Sequence, residues 1–347
     1  MTDGGKIAAI PFGNLRIGPR HPVVVIAEIG INHEGNIETC GRLIEAAAAA
    51  GADAVKLQTV DPAENYAPDT ASFAIYSEAE LSREQTAAMF NLARRRGLEI
   101  FTTAGDFRTL EWVDRLNPAG HKISSGLLTH LPLIERASRT GRSVLISTGM
   151  AETADIDAAV AAARRGGQAR FALFQCTSLY PAPRETLNLA TIAWLEQRYG
   201  APAGFSDHSK GTEAAAPSVA AGARMIEKHF TLEPSRPGFD HGISLNPTDF
   251  AEMVCQIRAV EEMVGQAEKQ PSAAERVNAA RFRRCLVARR AVVAGAVIDA
   301  DDIAVMRVLE GEVGLVPGAY GRLVGARAVR DLQRFRLFTE EFLRNGN

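Results

Sequence analysis

The sequence lacks the features that mark secreted, membrane-spanning or disulfide-stabilised proteins. Its four cysteines (Cys40, Cys176, Cys255 and Cys285) are widely spaced and form no Cys-x-x-Cys pair, so free thiols in a reducing compartment are the simplest interpretation. No apolar segment follows a basic start at the N-terminus, and the longest apolar runs are far shorter than the ~20 residues of a membrane helix. We therefore expect a cytoplasmic protein with no membrane association.

The chain also lacks an excess of charge of either sign. Among its 347 residues, 39 lysines and arginines face 41 aspartates and glutamates, for a formal net charge of −2. No global field attracts nucleic acid, so we expect no such partner, and any anion site must be built locally. The composition, 46% hydrophobic and 23% charged, is that of a globular protein.

Short β-branched segments alternate with longer Ala-, Leu- and Arg-rich segments from residue 22 to about residue 265. Eight segments predict strands: Val23–Gly30, Ala54–Gln58, Glu99–Thr103, His121–Ser124, Ser143–Ser147, Arg170–Thr177, Ala203–His208 and Arg224–Thr231. Predicted helices separate them, and an eighth helix, Pro247–Val264, follows the last strand. Eight strand–helix units in succession predict an α/β fold, a (β/α)8 TIM barrel over residues 1–265. A doubly wound open sheet is the alternative, which the absence of Gly-x-Gly-x-x-Gly before the first helix disfavours.

The alternation of strand-like and helix-like segments stops after the predicted barrel. Residues 266–282 show no strand signal and little apolar periodicity, and we interpret them as a linker. Residues 283–347 contain short β-like runs broken by glycines, which predict a small β-rich domain. About 60 residues bury little core alone, so we expect this domain to pack on another surface.

Each predicted barrel strand ends in polar residues, at the face where TIM barrels carry their functional groups. Strands seven and eight end in His208 and His229, which are 21 residues apart with an Ala-rich helical stretch between them. This spacing brings both imidazoles to one rim of the barrel. Two neutral imidazoles can hold a divalent metal, which would act as a Lewis acid on a carbonyl.

The other strand ends favour an anion site beside that metal. Lys56 and Lys122 supply two point charges, and hydroxyl groups follow from Thr103, Ser125, Ser147 and Thr148, a set that suits phosphate or carboxylate. Glu28 and Glu227 add carboxylates, and Glu227 shares a strand face with His229 because they are two residues apart. An anion beside a metal-polarised carbonyl indicates carbon–carbon bond chemistry.

The motifs at these strand ends resemble one family in the same order. AEIGINHEGN, DAVKLQT, HKISSG, ISTGM, QCTSLYP, GFSDHS and EKHFTLE…GFDHGIS are similar to motifs of the sialic acid synthase family, and the likeness covers residues 22–345. The segment RRCLVARRAVVAGAVIDADDIAVMR resembles its C-terminal antifreeze-like (SAF) domain, a β-clip. The resemblance implies a transferase of carbohydrate biosynthesis. Such an enzyme condenses phosphoenolpyruvate with an N-acetylated amino-sugar aldose and forms a nine-carbon 3-deoxy-2-keto acid and phosphate.

The resemblance also implies a role for each matched residue. His208 and His229 resemble ligands of Mn²⁺ or Mg²⁺. Residues implied to be catalytic are Glu28, Lys56, Lys122 and Asp240, and those implied to bind substrate are Gln58, Thr103, Ser125, Ser147, Tyr180, Ser206 and Arg307. Arg307 resembles the arginine that the SAF domain of one subunit inserts into its partner's active site, which implies a domain-swapped homodimer. The planar guanidinium suits a carbonyl or carboxylate target.

Three positions depart from the family pattern. Leu127 follows Ser125-Gly126 where the family has an acidic residue, so a candidate general acid or base is missing, for which Glu28, Glu227 or Asp240 could substitute. Ala104-Gly105 follows Thr103 in place of proline, which loosens a loop. Residues 307–311 replace an Arg-Pro-Gly turn near the sugar's acyl group, which leaves the aldose open among N-acetylmannosamine, a diacetamido sugar and a non-amino sugar.

Two other functions remain open on the sequence. Leu127 is compatible with a catalytically impaired paralogue that binds a ligand or a partner through a retained pocket. A class I aldolase acting on pyruvate would instead use Lys122 to form a Schiff base.

Overall fold

A computed structural model of the chain describes residues 7–167, 170–266, 268–309 and 311–343, and the chain separates into two compact units, Met1–Gly265 and Gln266–Asn347. None of the described helices combines the length and the apolar character required to span a bilayer.

The first unit is a closed barrel of parallel strands, as predicted. Within the described residues the barrel itself has eight strands: β3 (Val24–Gly30), β4 (Ala54–Thr59), β5 (Glu99–Ala104), β6 (His121–Ile123), β7 (Val144–Ser147), β8 (Phe171–Cys176), β9 (Ala203–Asp207) and β10 (Met225–His229). Neighbours in sequence pair in parallel, and β10 closes the barrel against β3. The strands are readable from sequence because both of their faces are buried, which requires near-continuous apolar runs.

Helices surround the barrel, and most of them bury one apolar stripe against it. They are α1 (Ile37–Ala49), α2 (Pro62–Asn65), α3 (Ala71–Glu78), α4 (Arg83–Arg95), α5 (Phe107–Asp114), α6 (Leu131–Arg139), α7 (Thr153–Arg165), α8 (Ala190–Tyr199), α9 (Ala215–Ala220) and α10 (Pro247–Val264). In α1, Cys40, Leu43, Ile44 and Ala47 are buried at the spacing of one helix face. Asn36 caps this helix by accepting the Thr39 N–H.

Two parts of the first unit were not predicted. A hairpin of β1 (Ile10–Phe12) and β2 (Leu15–Ile17) packs Phe12 edge-to-face on Phe101 of β5, with ring centroids 5.0 Å apart. The second part is the insertion of α2 and α3 between β4 and α4. Helix α3 buries none of its residues, so it has no apolar stripe for a sequence pattern to detect.

The second unit begins with a helix and continues as short strands and turns. Helix α11 (Ala273–Phe282) lies inside the segment that we interpreted as a linker, and a capping box of Ser272 and Glu275 starts it. Strand β11 (Cys285–Ala288) pairs antiparallel with β12 (Ile303–Met306), and a short helix, α12 (Tyr320–Leu323), follows. The unit has a small core of its own, which includes Leu286, Ile298, Ile303, Phe338 and Phe342.

Candidate active site

A cavity opens where the barrel strands end. Its volume is about 530 Å³, within the usual range for a small-molecule site. Twelve of the residues predicted for the site line it: Glu28, Lys56, Gln58, Thr103, Lys122, Ser125, Ser147, Tyr180, Ser206, His208, His229 and Asp240. The remaining predicted residue, Arg307, belongs to the second unit.

Four buried charged side chains line the cavity and contact one another; we call Glu28, Lys56, Lys122 and Glu227 the charge cluster. Lys56 Nζ lies 3.0 Å from Glu28 Oε1 and 3.7 Å from Glu227 Oε1. Lys122 Nζ donates to both carboxylate oxygens of Glu227 at 2.7 Å. Ser206 Oγ donates to the same carboxylate at 3.0 Å. Glu227 is therefore the shared counter-charge of two lysines.

Burial and charge act differently on the two carboxyl groups. Burial raises the pKa of Glu28 to about 7, more than Lys56 lowers it. Burial also opposes the charge of Glu227, but Lys122 and Lys56 outweigh it and lower its pKa to about 2. Burial opposes the charge of Lys56 as well, yet Glu227 and Glu28 raise its pKa, whereas burial lowers the pKa of Lys122. With Glu28 protonated, two ammonium groups face one carboxylate, and an anionic ligand would neutralise the remaining positive charge.

Hydroxyl and backbone groups continue the polar lining beside Lys122. Ser125 Oγ accepts the N–H of Gly149 at 3.1 Å and lies 3.3 Å from Cys176 Sγ. A Cβ atom at Gly149 would overlap the hydroxyl oxygens of Ser178 and Ser125, so only glycine allows this close approach. Hydroxyl, thiol and backbone N–H groups therefore form a concave polar surface beside Lys122.

Several polar atoms of the cavity have no partner within the protein. In the part of the chain that the structure describes, buried atoms without a hydrogen-bond partner include Glu28 Oε2, Thr103 Oγ1, Ser178 Oγ and His229 Nδ1, all on residues that line this cavity. Buried polar groups are nearly always satisfied in folded proteins. Their concentration here indicates groups that a bound ligand satisfies.

The two predicted histidines lie side by side, with ring centroids 5.5 Å apart. His208 Nδ1 is 2.8 Å from the carbonyl oxygen of Thr177, to which it donates, and Nε2 lies 3.3 Å from the Tyr180 hydroxyl. His229 Nδ1 lies 3.5 Å from Asp240 Oδ2. Burial lowers the pKa of His229 and favours the neutral imidazole that binds metals.

These histidines fit a metal site that is open to ligands from outside the protein. Among residues 7–167, 170–266, 268–309 and 311–343, no group of three or more His, Cys, Asp and Glu is arranged to hold a metal ion. Water or substrate would therefore complete the coordination, as in catalytic metal sites. The carbonyl that orients His208 is the outer-shell partner typical of metal-binding histidines.

The structure adds aromatic residues that strand-end patterns could not find. Tyr76, on α3, donates a hydrogen bond to Gln58 Oε1, and Gln58 Nε2 donates to Glu28 Oε1 at 2.7 Å. Tyr66 stacks on Tyr76 with ring centroids 5.0 Å apart, and both rings line the cavity. A usable signal was Thr70, a helix N-cap residue directly before the segment that carries Tyr76.

Leu127 lines the same cavity, in a 3-10 turn that spans Ser125–Leu127. Its N–H donates to the carbonyl oxygen of Ser124 at 2.9 Å, and its half-buried side chain packs against the apolar layer outside the strands. The residue that departs most from the family pattern therefore presents carbon atoms to the cavity.

Arg307 follows strand β12 in the second unit. Its guanidinium carbon lies 4.6 Å from the centroid of the Phe282 ring, a cation–π contact within that unit. Its role in an active site stays a prediction.

A TIM barrel that gathers lysines, carboxylates and two histidines at its strand ends has the architecture of a small-molecule enzyme. Residues 43–269 match the NeuB family, and residues 283–342 match the SAF domain. The chain belongs to the NeuB family of sialic acid and related nonulosonic acid synthases and carries a C-terminal SAF domain.

Relatives of nearly equal length support this assignment. The spore coat polysaccharide biosynthesis protein SpsE of Bacillus subtilis is 33% identical, over 94% of this chain and 95% of its own. The N,N'-diacetyllegionaminic acid synthase of Legionella pneumophila is 32% identical, over 89% and 91%. The crystal structure of N-acetylneuraminic acid synthetase from Leptospira borgpetersenii superposes with a TM-score of 0.75 at 31% identity, covering 78% of this chain and 94% of that one.

Proposed function

We propose that this chain condenses phosphoenolpyruvate with an amino-sugar aldose and releases phosphate, forming a nonulosonic acid. The observation that carries the proposal is the charge cluster, which lies beside a pair of histidines in one cavity. Relatives that are named as synthases of N-acetylneuraminic and diacetyllegionaminic acid support it.

The charge cluster and the nearby hydroxyls suit the anionic substrate. Lys56 and Lys122 would bind the phosphate and carboxylate of phosphoenolpyruvate, with Ser125, Ser147 and Ser206 as further donors. The substrate's negative charge would offset the ammonium groups that Glu227 alone does not balance. Both lysines are buried, so these contacts would form in a medium of low dielectric constant, where they are strong.

The reaction joins two carbon atoms and breaks one carbon–oxygen bond. C3 of phosphoenolpyruvate attacks the aldehyde carbon, and the aldehyde oxygen takes a proton. Water adds at C2, and the tetrahedral intermediate then expels phosphate with the electron pair of the C2–O bond, leaving the keto acid. Glu28, whose raised pKa keeps a proton available near neutral pH, is our candidate donor to the aldehyde oxygen. Asp240 and Tyr180 would orient the sugar hydroxyls.

The proposal includes a divalent metal at the histidine pair. His208 and His229 would hold Mn²⁺ or Mg²⁺, which supplies Lewis-acid polarisation of the aldehyde carbonyl when bound. The Thr177 carbonyl that orients His208 and the buried Nδ1 of His229, which has no hydrogen-bond partner among the described residues, support this assignment.

The second unit would complete the site in a homodimer. We propose that Arg307 enters the cavity of the partner subunit and contacts the acyl group or a carboxylate of the bound substrates. An arginine suits that task because its guanidinium is rigid and always charged.

The test is a phosphate-release assay on the purified full-length chain. Release should require phosphoenolpyruvate, an aldose and Mn²⁺ together, and mass spectrometry should find the nine-carbon acid. The panel contains N-acetylmannosamine, its 6-deoxy-diacetamido relatives and mannose as the non-amino sugar. Absence of release with every aldose would contradict the proposal.

A ligand-binding paralogue with little activity is the second candidate, because Leu127 lines the cavity where the family pattern has an acid. Leu127→Glu separates the two, with Leu127→Gln as the control of similar size and no charge. A large gain of activity in the Glu variant alone would favour the impaired paralogue. Equal activity of the wild type and both variants would favour the working synthase.

A further inference from the structure

Lys228 is a buried lysine that the proposed reaction does not use. It lies between Glu227 and His229 on β10, and its side chain is fully buried. Side chains alternate along a strand, so Glu227 and His229 line the cavity while Lys228 points to the outside of the barrel. Ile226, on the same outward face, packs in the apolar layer beneath the helices. A charge at the next position of that face needs a specific explanation.

The ammonium group of Lys228 binds both residues that flank His208. Lys228 Nζ donates to Asp207 Oδ2 at 2.9 Å and to the carbonyl oxygen of Ser209 at 2.5 Å. Asp207 Oδ1 accepts the N–H of Ser209 at 2.8 Å and closes a tight turn around His208. Asp207 and Lys228 are also register partners in the sheet. Lys228, which is next to His229, therefore contacts the side chain before His208 and the backbone after it.

Stability alone does not account for this arrangement. Taking two charges out of water costs several kcal/mol per ion, and apolar residues of similar volume often serve as well or better. The faces that carry Asp207 and Lys228 are otherwise apolar, with Phe205 and Ile226 at the preceding positions. The ion pair provides a directional link between β10 and the turn after β9, which apolar residues would not provide.

We propose that Lys228 and Asp207 are positioning residues that hold His208 and His229 at the spacing and orientation needed to bind a divalent cation. This inference rests on the proposed function, because that function assigns the two histidines to a metal. The pair acts through the backbone and touches neither substrate nor metal.

The test is the affinity of the full-length protein for Mn²⁺ alone, measured by electron paramagnetic resonance of the free ion. The double variant Asp207→Asn/Lys228→Met removes both charges together, so no buried charge is left unpaired, and the Asn side chain can still accept the Ser209 N–H. We expect a Kd for Mn²⁺ roughly 10- to 100-fold higher than that of the wild type, as for outer-shell residues of metal sites. An unchanged Kd in a folded double variant would overturn the proposal.

A matched pair at the opposite end of β10 controls for lost stability. Arg224 Nε lies 3.0 Å from Glu196 Oε1, just before the strand begins. Glu196→Gln/Arg224→Met should lower the free energy of unfolding and leave the Kd for Mn²⁺ unchanged. An equal loss of affinity in both double variants would make the effect one of general stability and contradict positioning. His208→Ala provides the reference for complete loss of binding.

Hydrogen exchange separates failure of this inference from failure of the metal assignment. If the wild type binds no Mn²⁺, the metal assignment is wrong, but the link from Lys228 to the turn can still be measured. Backbone amides of residues 207–212 should exchange faster in Asp207→Asn/Lys228→Met than in the wild type and the control pair. Unchanged exchange would overturn the link. If the double variant does not fold, Asp207→Asn alone should show the same direction of change to a smaller extent.

Discussion

Glu227 has an unusual position among the residues of the cavity, because its single carboxylate contacts two buried lysines and a serine hydroxyl. Glu28 is also buried but has one lysine partner, Lys56. Burial opposes the charge of both residues, but the two lysines outweigh it only at Glu227, so the two pKa values shift in opposite directions and substitutions should separate them. Strand-end spacing could predict that both carboxyl groups meet the lysines. Their different pKa values depend on distances and burial, which only the folded chain defines.

Glu227→Gln should be strongly destabilising. The substitution leaves Lys122 buried without a counter-charge and leaves Lys56 with Glu28 alone, and an uncompensated buried charge typically costs about 3–5 kcal/mol. Urea unfolding at pH 7 measures the loss. The control is Glu196→Gln, which breaks a partly exposed ion pair and should cost about 1 kcal/mol or less. Equal losses in the two variants would show that Glu227 is not a shared counter-charge.

Glu28→Gln should change how stability depends on pH. The raised pKa means that the folded state binds the proton more tightly than the unfolded state, so stability present below the unfolded pKa is lost as pH rises toward about 7. Glutamine removes that loss. We therefore expect Glu28→Gln to be more stable relative to the wild type at pH 8 than at pH 5, by urea unfolding.

Glu34 is the control of opposite sign for the pH experiment. Burial opposes its charge, but hydrogen bonds from Arg236 and His241 outweigh burial and lower its pKa, so its ionised form stabilises the fold. Glu34→Gln should therefore lose stability at pH 8, and its loss should shrink as pH falls through the lowered pKa. The same pH trend in both variants would contradict the assigned shifts.

At the scale of elements, apolar pattern and burial decide what could be predicted. Barrel strands buried on both faces were found with their order and their polar ends. The hairpin β1–β2 escaped detection because each strand has three residues, and α3 escaped because it buries none of its residues. Helix α11 was interpreted as part of a linker because its exposed residues show no apolar periodicity. Its Ser272–Glu275 capping box is nevertheless visible in the sequence. Tyr66 and Tyr76, the aromatic residues of the site, lie on the α2–α3 insertion and were missed with it.

Tyr76→Phe tests whether the α2–α3 insertion contributes to the site. The hydroxyl of Tyr76 orients the amide of Gln58, which in turn donates to Glu28. Loss of one hydrogen bond is worth about 1 kcal/mol, so kcat/KM for the aldose should fall roughly fivefold. Steady-state kinetics with both substrates measure it. Tyr199→Phe, which removes a hydroxyl on outer helix α8, should leave kcat/KM unchanged, and an equal effect would contradict a local role.

At the scale of the whole molecule, the chain consists of two units with separate cores. The barrel contains twelve of the thirteen predicted site residues, and the small unit contains the other, Arg307. Sequence could predict this division because the alternation of strands and helices stops near residue 265. What Arg307 contacts depends on a second chain in our proposal.

Complementation tests the role proposed for Arg307. Arg307→Ala and Lys122→Ala should each be nearly inactive as separate proteins. When the two are co-expressed in equal amounts, about half of the dimers are mixed and each mixed dimer has one intact site, so roughly a quarter of wild-type activity should return. Phosphate release by the co-expressed mixture measures it, and the purified mixed dimer should have about half of wild-type activity. Mixed dimers without activity would contradict an arginine supplied across the interface.

The β1–β2 hairpin closes the end of the barrel that lies away from the cavity. Ile10, Phe12 and Ile17 pack with Phe101 and Phe174 at the end away from the cavity, and Lys122 Nζ lies 4.5 Å from the centroid of the Phe174 ring, directly above that closed end. Ligands therefore reach the cavity from the end at which the barrel strands finish. Under the proposed function, a ligand at the lysines would bind before one nearer the rim and would leave after it. The depth of the charge cluster would thereby set the order of binding, with phosphoenolpyruvate before the sugar.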